Sequence, residues 1–277
     1  MPYATVDGAR LYFEDTGGSG PVVAFSHGNL MDGRMWQPQL EALAEEFRCI
    51  SWDARLHGRT EDDGARYTYW DSARDLLGLL DHLGVRRAAL VGHSQGGFLS
   101  LRAALLAPER VRALALIDSA AVAWPPEALK QMGGVADGFR QAGPEAVAPE
   151  LLGLLFGQPP ARPADGAGSP PDRLSGLSGE WLARWREQPR ERLAEAVRVL
   201  MGVDGIADRL PEITAPALVV HGQEDRPVPL PLGVMLAETL PAALPPVVLP
   251  GAGHTPNLTH PGQVTEALTG FLRAHAG

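Results

Sequence analysis

Short, almost wholly apolar runs recur along the chain. Between them lie longer stretches whose apolar positions fall three and four apart. Val22-Val23-Ala24-Phe25-Ser26, Cys49 to Trp52, Ala88-Ala89-Leu90-Val91, Val111 to Ile117, Ala217-Leu218-Val219-Val220 and Val247-Val248-Leu249 are runs of the first kind. Such runs predict strands buried on both faces, as in a parallel sheet. Ala9 to Asp15 alternates instead and predicts a half-exposed strand, ended by the turn residues Gly17 to Pro21. Helical spacing appears over Trp36 to Glu46, Tyr69 to Leu83, Ser94 to Ala107 (closed by Pro108), Pro231 to Leu240 and Gly262 to His275. Strands alternating with helices predict an α/β fold, a parallel sheet with helices on both faces.

The alternation stops between about Ser119 and Arg209. Helical pieces are expected at Glu127 to Gln141, Glu145 to Phe156 and Glu180 to Met201, with no strand. Gly157 to Gly179 holds five Pro and five Gly and predicts an irregular loop. The expected organisation is a core made of residues 1–118 and 210–277, with residues 119–209 inserted as a helical cap.

Composition sharpens this picture only in part. A chain of 277 residues with 45% hydrophobic content suits one large domain with an insertion. The formal charge of −9 argues against polyanionic partners such as nucleic acid. No basic region followed by an apolar run opens the chain, and no run of about 18 apolar residues occurs. A cytoplasmic protein without membrane association is therefore expected. Cys49 stands alone in an apolar strand and reads as a small buried residue. No His, Cys and carboxylate spacing suits zinc, so no metal is expected.

The chemistry concentrates in Gly92-His93-Ser94-Gln95-Gly96-Gly97, a G-x-S-x-G segment between a strand and a helix. A sharp strand-to-helix corner presents its serine above the sheet, at a helix N-terminus that favours a developing anion. A serine hydroxyl needs a base. Among eight histidines, His254 fits best, because it lies in a loop directly after a strand. His93 reads as a packed neighbour of the serine. Asp225, after the strand Ala217 to Val220, is the expected acid, and Asp118, after Val111 to Ile117, is its rival. The order Ser94, Asp225, His254 suits a strand-borne triad. Oxyanion donors are expected from the backbone N–H groups of Gln95, after the serine, and Asn29, in Ser26-His27-Gly28-Asn29.

Taken together, His27-Gly28, Trp52 to Thr60, Gly92 to Gly97, His221 to Asp225 and Gly251 to His254 resemble the α/β-hydrolase superfamily, in its order and over nearly the whole chain outside the insertion. The resemblance implies an eight-stranded, mostly parallel sheet with a first antiparallel pair, a lid over the site, and no cofactor. It is greatest to capped esterases, enol-lactonases and cofactor-free haloperoxidase-type enzymes. Ser94 sets the chain apart from haloalkane dehalogenases and epoxide hydrolases, which carry aspartate at that corner. One departure is Leu56, where Asp-x-Arg-Gly-x-Gly of the family has glycine. The expected activity is hydrolysis of small neutral esters or lactones through an acyl-enzyme. Alternatives are peroxide in place of water, giving a peracid, or a ligand receptor on this fold. Of the insertion's aromatics, Trp124, Phe139, Phe156, Trp181 and Trp185, the expected substrate contact is Trp124, which follows a strand end; the others have their own helices to pack.

Overall fold

The computed structural model describes residues 2–157 and 172–277. Eight strands form one sheet: β1 Tyr3–Val6, β2 Ala9–Asp15, β3 Val22–Ser26, β4 Arg48–Trp52, β5 Ala88–His93, β6 Val111–Ile117, β7 Ala217–Gly222 and β8 Val247–Leu249. Their spatial order is β1-β2-β4-β3-β5-β6-β7-β8. β1 and β2 pair antiparallel, β2 meets β4 antiparallel, and every later pairing is parallel. Every residue of β5 and of β7 is buried, which explains why the central strands carry unbroken apolar runs.

The helices outside the insertion are α1 Gln37–Leu43, α2 Tyr69–His82, α3 Gln95–Leu106, and, toward the C-terminus, α8 Leu230–Thr239, α9 Pro256–Thr259 and α10 Pro261–His275. α2 packs on α3, and α1 packs on α10. α2 starts at a complete capping box, in which Thr68 accepts from the Asp71 backbone and Asp71 accepts from that of Thr68. The apolar stripe Leu76, Leu79 and Leu80 faces the core.

β1 lay outside the predicted elements. Its partner strand is reached through Asp7-Gly8, both at positive φ (42° and 81°), the conformation of a tight two-residue hairpin turn. That dipeptide was the available signal, and it goes with the antiparallel pair the resemblance implied.

Between β6 and β7 come α4 Pro126–Ala142, α5 Pro144–Phe156, α6 Asp172–Arg186 and α7 Arg190–Met201, with no strand among the described residues. Two expectations here are corrected. The single helix expected over Glu180 to Met201 is two, broken at Pro189, which lacks an N–H and biases Gln188 away from helix. The irregular stretch expected over Gly157 to Gly179 gives way to helix from Asp172. The five prolines all precede that residue, and Leu174, Leu177, Trp181 and Trp185 then recur at helical spacing. Residues 158–171 of that stretch lie outside the described residues.

Candidate active site

The loops that leave the carboxyl ends of β3, β5, β7 and β8 carry Asn29, Ser94, Asp225 and His254. Register explains the gathering, because β3, β5, β6, β7 and β8 run in parallel and end at the same edge of the sheet.

Ser94 is the corner between β5 and α3. Its backbone sits at φ 51°, ψ −114°, a conformation costly for a residue with a Cβ. The corner is held from several sides. Ser94 N–H donates to the Ile117 carbonyl at 2.9 Å, and the Ser94 carbonyl accepts from Gly97 N at 2.9 Å and from the Ser119 hydroxyl at 2.8 Å. A Cβ on Gly92 would collide with the Gly96 carbonyl, and one on Gly96 with the Ser26 carbonyl. The glycines thus let β5, α3 and β3 approach at the corner. Gln95 opens α3, where helix geometry leaves its N–H without an intrahelical acceptor.

His254 Nδ1 lies 2.8 Å from Asp225 Oδ2. That contact puts the proton on Nδ1 and the lone pair on Nε2, the tautomer a base requires. The other Asp225 oxygen accepts from Val228 N at 2.9 Å, which fixes the carboxylate. His93 does more than pack beside Ser94. Its Nε2–H donates to the His254 carbonyl at 2.5 Å, and the two rings lie 4.9 Å apart. Burial and the neighbouring His254 hold His93 well below the usual histidine range, so it is neutral and donates from one nitrogen. The residue before Ser94 thereby anchors the loop of His254. Adjacency to Ser94 was the only trace of this in the sequence.

Asp118, the rival acid, is fully buried, and its Oδ1 accepts from Gly222 N at 2.7 Å. Its neighbour is His221, with Asp118 Oδ1 at 3.7 Å from His221 Nε2. Burial and the Asp225 charge push the Asp118 carboxyl well above the usual carboxylate range. The protonated form of Asp118 is thereby favoured. Asp118, His221 and Asp225 bring one ligand atom each within 4.8 Å of one another. His221 Nε2 donates to the Val228 carbonyl at 2.8 Å, so that nitrogen offers no lone pair.

The loop after β3 makes a turn closed by Met31 N and the Gly28 carbonyl, at 3.2 Å. Asn29, half-buried, is braced by His57, whose Nε2 lies 3.0 Å from the Asn29 carboxamide. His57 Nδ1 lies 2.7 Å from the Arg55 carbonyl and so carries the proton. Nε2 is then the acceptor, so the Asn29 carboxamide, whose Oδ1 stands at that 3.0 Å position, is assigned the reverse orientation, with its NH₂ toward the ring. Burial lowers His57 to about 3, in keeping with a neutral ring.

Leu56 occupies φ 65°, the left-handed region in which glycine is at ease. The strain costs roughly 1–2 kcal/mol. Burying a leucine side chain, here 2% exposed, stabilises by about 1.5–3 kcal/mol and offsets it. Leu56 N–H also donates to Asp62 Oδ2 at 2.8 Å. The loop thus keeps a glycine-type backbone, and its leucine lines a small cavity beneath the insertion together with Trp185 and Leu193. Cys49 is buried, and burial pushes its thiol up to about 12, which suits a packed residue.

Trp124 stands on the strand-to-insertion connection. Its ring meets Phe98 edge-on at 6.0 Å, and its indole N–H donates to the Leu200 carbonyl of α7 at 2.9 Å. Phe98 is four residues after Ser94 and so lies on the same face of α3. Phe139, Phe156, Trp181 and Trp185 are buried. Ser94 and His254 are each only 4% exposed. No helix among the described residues is long and apolar enough to cross a membrane.

The profile of a family described as alpha/beta hydrolase fold matches residues 21–261. Among curated proteins, one carrying the provisional name carbamate hydrolase RutD, from Azorhizobium caulinodans, is 31% identical, over 98% of this chain and 98% of its own length. The 2-(acetamidomethylene)succinate hydrolase of Mesorhizobium japonicum is 31% identical, over 93% of this chain and 90% of its own. A thermophilic esterase from Thermogutta terrifontis superposes with a TM-score of 0.83 at 32% identity, covering 99% of this chain and 97% of that one. The enol-lactonase from Burkholderia xenovorans LB400 gives 0.86 at 29%, covering 98% and 100%. These relatives share hydrolysis and differ in the bond they are named for. The chain belongs to the α/β-hydrolase family and is a hydrolase.

Proposed function

We propose that the chain hydrolyses small, neutral carboxylic esters or lactones through an acyl-enzyme on Ser94. The observation that carries this reading is the strained corner at Ser94 beneath a histidine loop that His93 ties to it, with His254 Nδ1 already engaged by Asp225. In this reading His254 Nε2 takes the Ser94 proton as Oγ attacks the carbonyl. Asp225 keeps the tautomer and stabilises the imidazolium. The carbonyl oxygen, now negative, rests on the N–H groups of Asn29 and Gln95, each such donor being worth about 3–4 kcal/mol. The alkoxide leaves with the proton from His254. Water then attacks the acyl-enzyme by the same route, which returns the proton to Ser94. A fluorophosphonate probe tests the assignment: it should label Ser94, and labelling elsewhere would contradict it. The substrate panel should pair p-nitrophenyl esters and lactones with a carbamate and an acetamidomethylene acid, after the names of two relatives.

The reading uses no metal or other cofactor: His221 Nε2 donates to the Val228 carbonyl, and Asp118 and Asp225 each accept from a backbone N–H. Dialysis against EDTA should leave kcat unchanged. A loss restored by a divalent cation would count against the proposed chemistry.

Residues 119–209 act as a cap on a core of 1–118 and 210–277. With Ser94 and His254 so nearly covered, substrate reaches them only when part of that cover moves. Trp124 borders the acyl side through Phe98. Trp124→Ala should shift relative kcat/KM across an acyl-length series by about 1–3 kcal/mol. Labelling of Ser94 by a small organophosphate should stay near the wild-type rate. Equal kcat/KM ratios for all acyl lengths would remove Trp124 from the pocket.

A further inference from the structure

The helical insertion touches both halves of the site through one buried hydrogen bond each. On the oxyanion side, the indole N–H of Trp185 in α6 donates to the Leu30 carbonyl at 2.7 Å. Leu30 directly follows Asn29 and holds φ 60°, so its carbonyl direction is tied to an unusual backbone setting. The Leu30 carbonyl shares its peptide plane with the Met31 N–H, which donates to the Gly28 carbonyl at 3.2 Å, and that carbonyl shares its own plane with the Asn29 N–H, so turning the Leu30 carbonyl would disturb the turn that sets the Asn29 N–H. The indole itself is not free to follow, because Trp185 is buried and lies edge-on to Phe139 of α4 at 5.8 Å. On the histidine side, Thr255 is fully buried and follows His254 directly. Its hydroxyl donates to the Leu155 carbonyl in α5 at 2.8 Å. Further ties that seat the insertion include Gln188 Nε2 on the Gly58 carbonyl at 3.1 Å, and Arg192 on Asp62, the residue that also holds Leu56 N–H.

We propose that the seated insertion positions the catalytic loops, with Trp185 setting the oxyanion loop and Thr255 the His254 loop. This rests on the reading of Ser94, His254 and Asn29 given above. The insertion supplies no group to the reaction. It completes the oxyanion hole only when closed, so admission of substrate and assembly of the hole are one coupled event. A substrate that holds the insertion open would bind yet react slowly.

Trp185→Phe keeps an aromatic ring at this position and deletes the N–H, together with the volume of the indole's five-membered ring. Its expected effect is a fall in kcat by the same factor for p-nitrophenyl acetate and hexanoate, roughly 10- to 100-fold, as for misplacement of a reacting group. KM should hold, the pH midpoint of kcat/KM should hold, and a trifluoromethyl ketone should bind more weakly by a similar factor. Fluorophosphonate labelling of Ser94 should slow in parallel. A change in acetate-to-hexanoate preference with labelling at the wild-type rate would overturn the proposal, since that is what a selectivity wall would do. Thr255→Val makes the same test from the other loop and serves if Trp185→Phe does not fold. It should lower kcat for both esters alike, and a change confined to acyl preference would overturn the proposal equally. If wild type takes no label at Ser94, the underlying assignment of the nucleophile fails instead, so the two failures are told apart by the wild-type control.

Discussion

Ser94→Ala should reduce ester hydrolysis by roughly 10⁴- to 10⁶-fold in kcat, the scale of losing a nucleophile that works as a unit with its base. The change deletes one oxygen at a corner that the backbone already holds. Alanine keeps a Cβ, so the strain at φ 51° is the same in both proteins, and the bonds to Ile117, Gly97 and Ser119 run through the backbone of residue 94. The thermal midpoint should therefore stay near that of the wild type. Activity in this variant comparable to wild type would mean that water, or another side chain, attacks the substrate.

Asp225→Asn should cost about 10⁴-fold in kcat at neutral pH. An amide at this position can present NH₂ to His254 Nδ1, which then accepts and leaves the proton on Nε2, the wrong nitrogen for a base. Asp118→Asn should cost less than about 10-fold, on different grounds. The Asp118 carboxyl is held well above the usual range by burial and by Asp225, which favours its protonated form. Asparagine copies the shape and the lack of charge of that form, and the bond from Gly222 N can persist on the amide oxygen. The sign of the linkage follows. A carboxyl whose pKa is raised by folding contributes stability below its ordinary pKa and loses it as pH climbs toward the raised value. Asp118→Asn should accordingly flatten the fall in stability that begins above the ordinary carboxylate pKa. If the two variants exchange their effects on kcat, the acid lies after β6 and the order of roles must be redrawn.

What the sequence revealed depended on how local each feature was. β5 and β7 could be read because a strand covered on both faces has no polar positions to break its run, and β3, β6 and the edge strand β8, where Val248 is exposed, because their runs are apolar as well. Ser94, Asp225 and His254 could be found because each follows such an apolar run. The structure brings Asp225 to His254 across 29 residues of chain, as the parallel register requires. β1 was lost because its pattern is weak, although Asp7-Gly8 marked its turn. The break between α6 and α7 was signalled by Pro189 and overridden by the apolar periodicity on either side of it. Leu56 could be recognised as a departure, but its sequence position did not tell that the backbone would stay in the left-handed region. The contacts of Trp185 with Leu30 and of Thr255 with Leu155 left no trace at all. They join residues 155 and 100 positions apart through backbone carbonyls, and a carbonyl does not depend on which side chain it accompanies.

The central claim is that the reaction passes through an ester on Ser94, and trapping that ester tests it most directly. Wild-type protein mixed with p-nitrophenyl acetate and quenched in acid within the first turnover should carry one acetyl group. Peptide mapping should locate it at Ser94, and the Ser94→Ala protein should carry none. An acetyl group on another residue, or rapid turnover with no acetylated protein while p-nitrophenol appears in a burst, would contradict the account.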